Sequence, residues 1–259
     1  MKKTYEAIIS FLKDYQTHTN AHGYVLGISG GKDSTIVAKL LVDAIGKENV
    51  LGVLMPNGLQ YDLSDSHKVC DFLGINRTEI NIDNEYEGFI NMCSANMFSL
   101  DFKTITRINI SDKAKTNIPP RIRMTILYTI AQSLGYRVAG TGNKSEQFIG
   151  WFTKWGDGGC DINPIAHLTC TQVVQLGDYL KLPKELIHKT PMDGLTGKSD
   201  EENFGFTYQE LDFLIERLER LYKTGYLKGL FTENEKKILK MHDSAYHKQH
   251  VIKMQFNEN

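Results

Sequence analysis

Apolar residues recur at helical spacing through the opening segment, where Tyr5, Ile8, Ile9, Leu12 and Tyr15 fall on one side of an amphipathic helix. The pattern then switches to a short continuous apolar run, Gly23 to Ile28, of strand length and followed at once by Ser29-Gly30-Gly31-Lys32-Asp33-Ser34. From Asp33 the helical spacing returns, with Ile36, Val37, Leu40, Leu41 and Ile45 on one side and Gly46 as a stop. Val50 to Met55 reads as a second buried strand broken by Pro56-Asn57-Gly58. A helix from about Asp62 to Leu73, a strand over Arg77 to Ile82, a helix over Arg123 to Leu134 and a strand over Arg137 to Gly140 follow. Strand and helix alternating with short connections predict an α/β fold: a doubly wound parallel sheet flanked by helices.

The last third reads as helical. Thr207-Tyr208-Gln209-Glu210 is a capping-box pattern ahead of a stripe formed by Leu211, Leu214, Ile215, Leu218, Leu221 and Tyr222, expected to be core or dimer interface. Gly225 closes that helix, and Thr232 to Glu235 repeats the box. The glycine- and charge-rich stretch Asp193 to Gly205 is expected to be a mobile loop. With no internal repeat, low-complexity tract or long linker, residues 1–259 are expected to form one domain.

Composition narrows the function classes. Thirty basic residues stand against thirty-one acidic ones, so no bulk field favours nucleic acid or an anionic membrane. The opening residues lack a signal-peptide core, and no transmembrane run is present. Four cysteines, Cys70, Cys93, Cys160 and Cys170, form no close pair, which suits a reducing cytoplasm. Spacing of His242, His247 and His250 matches no zinc pattern.

Ligands of doubly wound sheets bind beyond the carboxyl ends of the strands, and two glycine-rich turns, Ser29 to Gly31 and Gly140 to Gly142, fall there. The first opens a helix, where backbone N–H groups and the positive helix end suit an anion, with Lys32 adding a cation and Ser34 a donor. Asp33 would repel a phosphate unless a metal lay between, so it reads as a Mg²⁺ ligand; the plainer reading is a glycine-rich turn with an Asp cap. The loop is neither a Walker A motif, since Lys32 precedes Asp33, nor a dinucleotide G-x-G-x-x-G. After the second turn, Glu146 is placed to complete the Mg²⁺ site with Asp33. Lys154, Asp157 and Asp161 follow in a glycine-rich loop whose Trp151 and Trp155 are expected to be core.

Ser29 to Ser34 resembles the loop of the ATP pyrophosphatases, which cleave ATP between its α and β phosphates and include GMP synthetase, asparagine synthetase, tRNA-sulfur enzymes and NAD synthetase. Gly140-Thr141 with Glu146, followed by Phe152-Thr153-Lys154 and Gly156-Asp157-Gly158-Gly159-Cys160-Asp161-Ile162, resembles NAD synthetase in particular. Arg121 to Met124, Lys189-Thr190-Pro191 and His247-Lys248 extend that resemblance over most of the chain.

The resemblance implies an adenine nucleotide alpha hydrolase-like fold and an ammonia-dependent ligase: a cytoplasmic homodimer that uses ATP and Mg²⁺ to amidate deamido-NAD. It implies that Gly27, Ile28, Ser29, Gly30, Gly31, Lys32, Asp33 and Ser34, with Met55 and Thr141, hold ATP. Asp33 and Glu146 would hold Mg²⁺. Lys154, Asp161, His247, Lys248 and one of Arg121 or Arg123 would contact deamido-NAD across the dimer interface. Lys32, Asp33 and Lys189 would assist catalysis, with Asp157 or Asp161 accepting a proton from ammonium or binding that cation. The length leaves no room for an added amidase unit, so ammonia, free or delivered by another protein, is the expected donor.

Two positions depart from the family pattern. Cys170 stands where many members carry a phosphate-contacting lysine, and Met192 where a hydroxyl is usual. Lys144, Lys189 or Lys198 are the candidates to compensate, and the second departure is compatible with a branch of altered partner or substrate. The competing readings are a related adenylating ligase with another carboxylate or an RNA acceptor, and a nucleotide-binding regulatory module without turnover. Neutral charge and the lack of paired cysteines weigh against RNA thiolation.

Overall fold

The computed structural model describes residues 1–59, 63–95, 97–99, 105–107, 109–189, 199–225 and 229–250. Four strands form a parallel sheet in the order β3-β2-β1-β6: β1 (Tyr24–Gly27), β2 (Val50–Leu54), β3 (Asn76–Glu79) and β6 (Arg137–Val138). Tyr24 lies opposite Val50 on one side and Arg137 on the other. The chain steps outward from β1 to β3 and then returns to the far side of β1 as β6. The strand order therefore reverses between β1 and β6, and the crevice at that reversal is where open α/β sheets take their ligands.

Helices cover both faces, as buried parallel strands require. On one face α1 (Lys2–Thr19), α2 (Lys32–Ile45), α3 (Leu63–Leu73), α8 (Cys170–Tyr179) and α9 (Lys184–Ile187) share a core that contains Leu12, Leu26, Ile36, Leu40, Leu176 and Ile187. On the other face α6 (Ile118–Leu134) packs Ala131 against Val25, Val53 and Val138. A separate cluster joins α7 (Lys144–Ile149), α10 (Asp200–Phe204), α11 (Tyr208–Thr224) and α12 (Glu233–Gln249) around Ile149, Phe204, Leu211, Leu214 and Ile238. The expected α/β sheet with a helical last third is thus the observed architecture.

Several details differ from the pattern reading. Helix α6 starts five residues early, because Pro119 and Pro120 occupy its first turn, where a missing N–H costs nothing. Between β3 and α6 lie α4 (Asp83–Ala95), an antiparallel hairpin of β4 (Met97–Ser99) and β5 (Ile105–Arg107), and α5 (Asp112–Thr116). In the stretch expected to be a mobile loop, Asp193 to Lys198 lie outside the described residues, as do Thr190, Pro191 and Met192. The remainder is helix α10, started by a Ser199–Glu202 capping box and closed by Gly205 at φ +73°. The α11 stripe is core at Leu211, Leu214 and Ile215 but has run out by Tyr222, which is 93% exposed. No helix among the described residues is long and apolar enough to cross a membrane.

Candidate active site

The phosphate loop leaves the carboxyl end of β1 and is shaped by its own hydroxyls. Ser34 Oγ donates to the Gly31 carbonyl at 3.1 Å and accepts from the Ser29 N–H at 3.3 Å, while the Gly31 N–H donates to Ser29 Oγ at 3.2 Å. Gly30 adopts φ +77°, and a Cβ there would sit 2.9 Å from both Asp65 Cβ and Ser66 N on α3. Glycine is required at that position by conformation and by space. Helix α2 then begins with no side-chain cap at Gly31, whereas α7, α8, α10, α11 and α12 all begin with capping boxes. Its first-turn N–H groups are left for an anion.

Across the crevice, the turn after β6 leads into α7 through Asn143. That residue accepts from the Glu146 N–H at 3.0 Å, and its own N–H donates to Glu146 Oε2 at 2.9 Å. Its side-chain amide also donates to Asp33 Oδ1 at 3.2 Å. One buried asparagine thereby ties Glu146 to Asp33, its own bond to Asp33 spanning 110 residues of sequence. Lys32 Nζ donates to the other Asp33 oxygen at 2.8 Å, and its side chain is 5% exposed. Burial opposes the Lys32 charge, but Asp33 outweighs it and holds the ammonium above its ordinary range. Removal from water, reinforced by the Asp33 carboxylate, pushes Glu146 up to about 8. Once Glu146 gives up its proton, two carboxylates against one ammonium leave an excess of negative charge that suits a hard divalent cation with oxygen ligands. Mg²⁺ takes few protein carboxylates because substrate phosphates and water complete its shell, and this pair fits that habit.

The remaining predicted residues fall into three groups. Met55, Gly27 and Arg123 meet where β1 and β2 end: Arg123 Nε donates to the Met55 carbonyl at 3.0 Å, and Met55 Cε lies 3.4 Å from where a Gly27 Cβ would stand. Ile28 sits in the core, with its N–H on Val53 O at 3.0 Å, so its side chain faces away from the crevice. Thr141, half-buried, lies in the turn between β6 and α7.

The glycine-rich loop forms the second group. It returns beside β6 through a parallel bridge of Ala139 with Ile162, and Asp161 accepts from the Val138 N–H at 2.8 Å and from Tyr128 Oη at 3.3 Å. Asp157 accepts from the Thr153 N–H at 2.8 Å, and burial raises its carboxyl above the ordinary range, so both carboxylates brace the loop. Arg121 Nε donates to the Lys154 carbonyl at 3.3 Å, and Lys154 Nζ donates to the carbonyl of exposed His247 at the end of α12. Lys248 Nζ donates to Gly150 O at 2.6 Å and Phe152 O at 2.8 Å. Trp151 is partly buried against Phe204, but Trp155 is not core: it is 59% exposed, at φ +59°, with Lys154 Nζ 5.6 Å from its ring. His242 stacks on Phe148 and bonds its carbonyl, and no cluster of three metal-type side chains occurs among the described residues.

The third group is cationic. Lys189 Nζ reaches Asp65 at 2.8 Å, beside the phosphate loop, whereas Lys144 pairs with Glu219 and Lys198 lies outside the described residues. Cys170 is buried and its thiol is pushed up to about 12 by removal from water, so it supplies no cation.

The pattern reading missed a buried set behind the loop. Asp200 accepts from Trp151 Nε1 at 3.2 Å and from Tyr208 Oη at 2.9 Å, and Lys32 Nζ lies 5.7 Å from the Tyr208 ring. Asp212 accepts from Ser145 Oγ and, at 2.8 Å, from the Thr171 N–H. The Ser199–Glu202 box is the one sequence signal that would have placed Asp200.

With this geometry in hand, the family model described as NAD synthase matches residues 4–252. The chain belongs to the NAD synthase family. An NH(3)-dependent NAD(+) synthetase of Thermococcus sibiricus is 41% identical over 220 residues, covering 83% of this chain and 80% of the relative. Among solved structures, an NMN synthetase from Francisella tularensis has a TM-score of 0.83 at 30% identity, covering 98% of each chain. An NH3-dependent NAD synthetase from Campylobacter jejuni has a TM-score of 0.78 at 28% identity, covering 98% of this chain and 99% of its own. As a NAD synthase family member the chain is a ligase with ATP as co-substrate, on the fold that these neighbours share.

Proposed function

We propose that this NAD synthase family member makes NAD from deamido-NAD, ATP and ammonia. The observation that carries the reading is the juxtaposition of an uncapped phosphate loop with the Asp33–Glu146 pair at the crevice between β1 and β6. The nicotinate carboxylate attacks the α-phosphorus of ATP; the bond to the bridging oxygen breaks and pyrophosphate leaves with the electron pair. Ammonia then adds to the acyl carbon of the adenylate, AMP departs, and the amide remains.

Each part of the site has a task in that sequence. The first-turn N–H groups of α2 and Lys32 receive phosphate oxygens and keep two anionic substrates together. Asp33 and Glu146 would hold Mg²⁺, which neutralises charge on the triphosphate when bound. Met55, Gly27 and Arg123 border the nucleotide end of the crevice, and Lys154, Asp161, His247 and Lys248 the acceptor end. Asp157 and Asp161 are the carboxylates available to an ammonium ion, Asp161 being next to β6 and therefore nearer the crevice.

A second acceptor, nicotinate mononucleotide, is supported by the full-length match to a protein described as an NMN synthetase. Both readings share the adenylation step. The test is a product assay with ATP, Mg²⁺, ammonium and either acceptor, following AMP together with NAD or NMN. Matched AMP and NAD support the dinucleotide; NMN formation at the higher kcat/KM supports the mononucleotide.

The chain is read as a cytoplasmic homodimer with four free thiols. Helices α4 and α6 pack together and expose Phe89, Met92 and Leu134, which supports a face for a second copy. Equilibrium sedimentation showing only monomer at micromolar concentration would remove that part of the reading.

A further inference from the structure

The buried aspartate and tyrosine behind the phosphate loop have no task in the steps assigned above. Tyr208 opens α11, where its N–H donates to Glu201 Oε1 at 2.8 Å and its hydroxyl to Asp200 Oδ2 at 2.9 Å. The Phe204 ring meets the Tyr208 ring edge-on, at 5.6 Å between centroids and 84°. Asp200 is pinned in turn by Trp151 Nε1 at 3.2 Å. Both Asp200 and Tyr208 are buried. Removal from water, reinforced by the Glu146 and Asp200 carboxylates, raises the Tyr208 phenol, so its O–H stays a neutral donor to Asp200. The orientation of the ring is therefore set from several directions at once.

What that fixed ring faces is the loop's own cation: Lys32 Nζ lies 5.7 Å from the Tyr208 ring centroid. Lysine is almost never fully buried without a partner, yet the Lys32 side chain is only 5% exposed, with Asp33 at 2.8 Å. An aromatic face attracts a cation through its quadrupole, and the attraction grows where water is excluded. A phenol that donates to a carboxylate is polarised by it, which makes the ring face more negative. Lysine also has a long, freely rotating stem, so a wall that holds the ammonium in advance lowers the cost of fixing it on a ligand. We infer that Tyr208 is a positioning residue for Lys32: its ring, oriented by Asp200, holds the buried ammonium where it meets a phosphate oxygen of ATP. This rests on the reading of the loop as an ATP site.

The experiment must separate attraction for the cation from plain packing. Ring fluorines nearly preserve the shape of an aromatic side chain while they drain its negative face. With Tyr208→Phe as the reference, phenylalanines bearing one, two and three ring fluorines are placed at position 208. ATP affinity is read by calorimetry, alongside kcat and KM for ATP. Each added fluorine should weaken ATP binding and kcat/KM in step, reaching a loss of roughly tenfold at three fluorines. Tyr208→Leu, which removes the face altogether, should lose at least as much relative to Tyr208→Phe. In a Lys32→Met background the residual ATP binding should not depend on the fluorine count, because the ring acts through the ammonium.

A series that stays flat with Lys32 present, or that declines equally in Lys32→Met, would overturn the assignment and leave Tyr208 to core packing. If Tyr208→Leu does not fold, the fluorinated proteins carry the test, with their melting temperatures showing that the fold is kept; a flat series is again the overturning result. Calorimetry needs no turnover and so keeps the two readings apart. ATP affinity that follows the fluorine count while neither AMP nor amide forms would sink the proposed function and retain this role for Tyr208.

Discussion

Glu146→Gln should stabilise the unliganded protein while it removes Mg²⁺-dependent turnover, and the two effects come from the same geometry. The carboxylate accepts from the Asn143 N–H at 2.9 Å, and a glutamine amide oxygen can accept that bond, so the start of α7 is preserved. What the substitution removes is an ionisable group held out of water beside Asp33, a setting that keeps the native carboxyl protonated up to about 8. The sign follows from linkage: the folded-state value lies above the unfolded one, so no penalty exists below about pH 4, where both states are protonated. Between there and pH 8 the unfolded chain ionises while the folded one resists, and native stability falls relative to the glutamine variant. At pH 7 the difference is about 3 kcal/mol at 1.36 kcal/mol per unit of pH, with the Asp33 and Lys32 charges present. For a chain of this length each kcal/mol is worth about 2–4 °C, so the unliganded variant should melt several degrees higher at pH 7 and level with wild type near pH 4.5. Differential scanning fluorimetry across pH, with and without Mg²⁺, reads all of this. Added Mg²⁺ should raise the wild-type melting temperature and leave the variant nearly unmoved. A variant that melts lower at pH 7, or that gains as much from Mg²⁺ as wild type, would refute the charge-pair argument.

Gly30→Ala should cost a few kcal/mol and abolish ATP binding, since it forces a left-handed φ on alanine and drives its Cβ to 2.9 Å from Ser66 N; a normal melting temperature would show that the loop relaxes. Lys154→Ala should raise KM for deamido-NAD well above its effect on KM for ATP, and equal changes would assign Lys154 only to bracing the end of α12. Burial pushes the Cys70 thiol up to about 11 and the Cys170 thiol up to about 12, so alkylation at pH 8 followed by peptide mass analysis should leave both unmodified in native protein and label both after unfolding.

How much of this site could be read before the structure depended on how local its physics is. The β1–loop–α2 unit was legible because an uninterrupted apolar run, Ser-Gly-Gly and a resumed helical period lie within some twenty residues. The boxes at Thr207 and Thr232 were legible because a capping box is a three-residue relation, and both form with their expected partners. The early start of α6 was hidden by Pro119-Pro120, whose usual meaning is a break and whose tolerance in a first turn depends on where the helix begins. Trp155 was misread because two tryptophans four apart share a helix face only if the backbone is helical, and here it turns through φ +59°.

What no local pattern contains is the joining of the C-terminal helices to the phosphate loop. Ser145 on α7, Thr171 on α8 and Asp212 on α11 meet through one buried carboxylate, and Cys170 N bonds Ser145 Oγ at 2.9 Å. Tyr208, at the start of α11, faces Lys32 across 5.7 Å and is itself held by Asp200. Removing the last helices would therefore leave Lys32 without its aromatic wall and the start of α8 without Asp212, an orphaned buried group of the kind that costs about 1–3 kcal/mol. The helical third is in this sense the back of the candidate site: the parallel sheet presents the loop and the Asp33–Glu146 pair, and the helices cover Lys32 from behind. That division of labour also explains why the loop motif alone leaves the acceptor open. In the proposed function, phosphate chemistry belongs to the β1–β6 crevice, whereas the residues assigned to the second substrate come from the glycine-rich loop and the end of α12, which are joined by the backbone carbonyls that Lys154 and Lys248 hold and by Lys248 over the Phe152 ring.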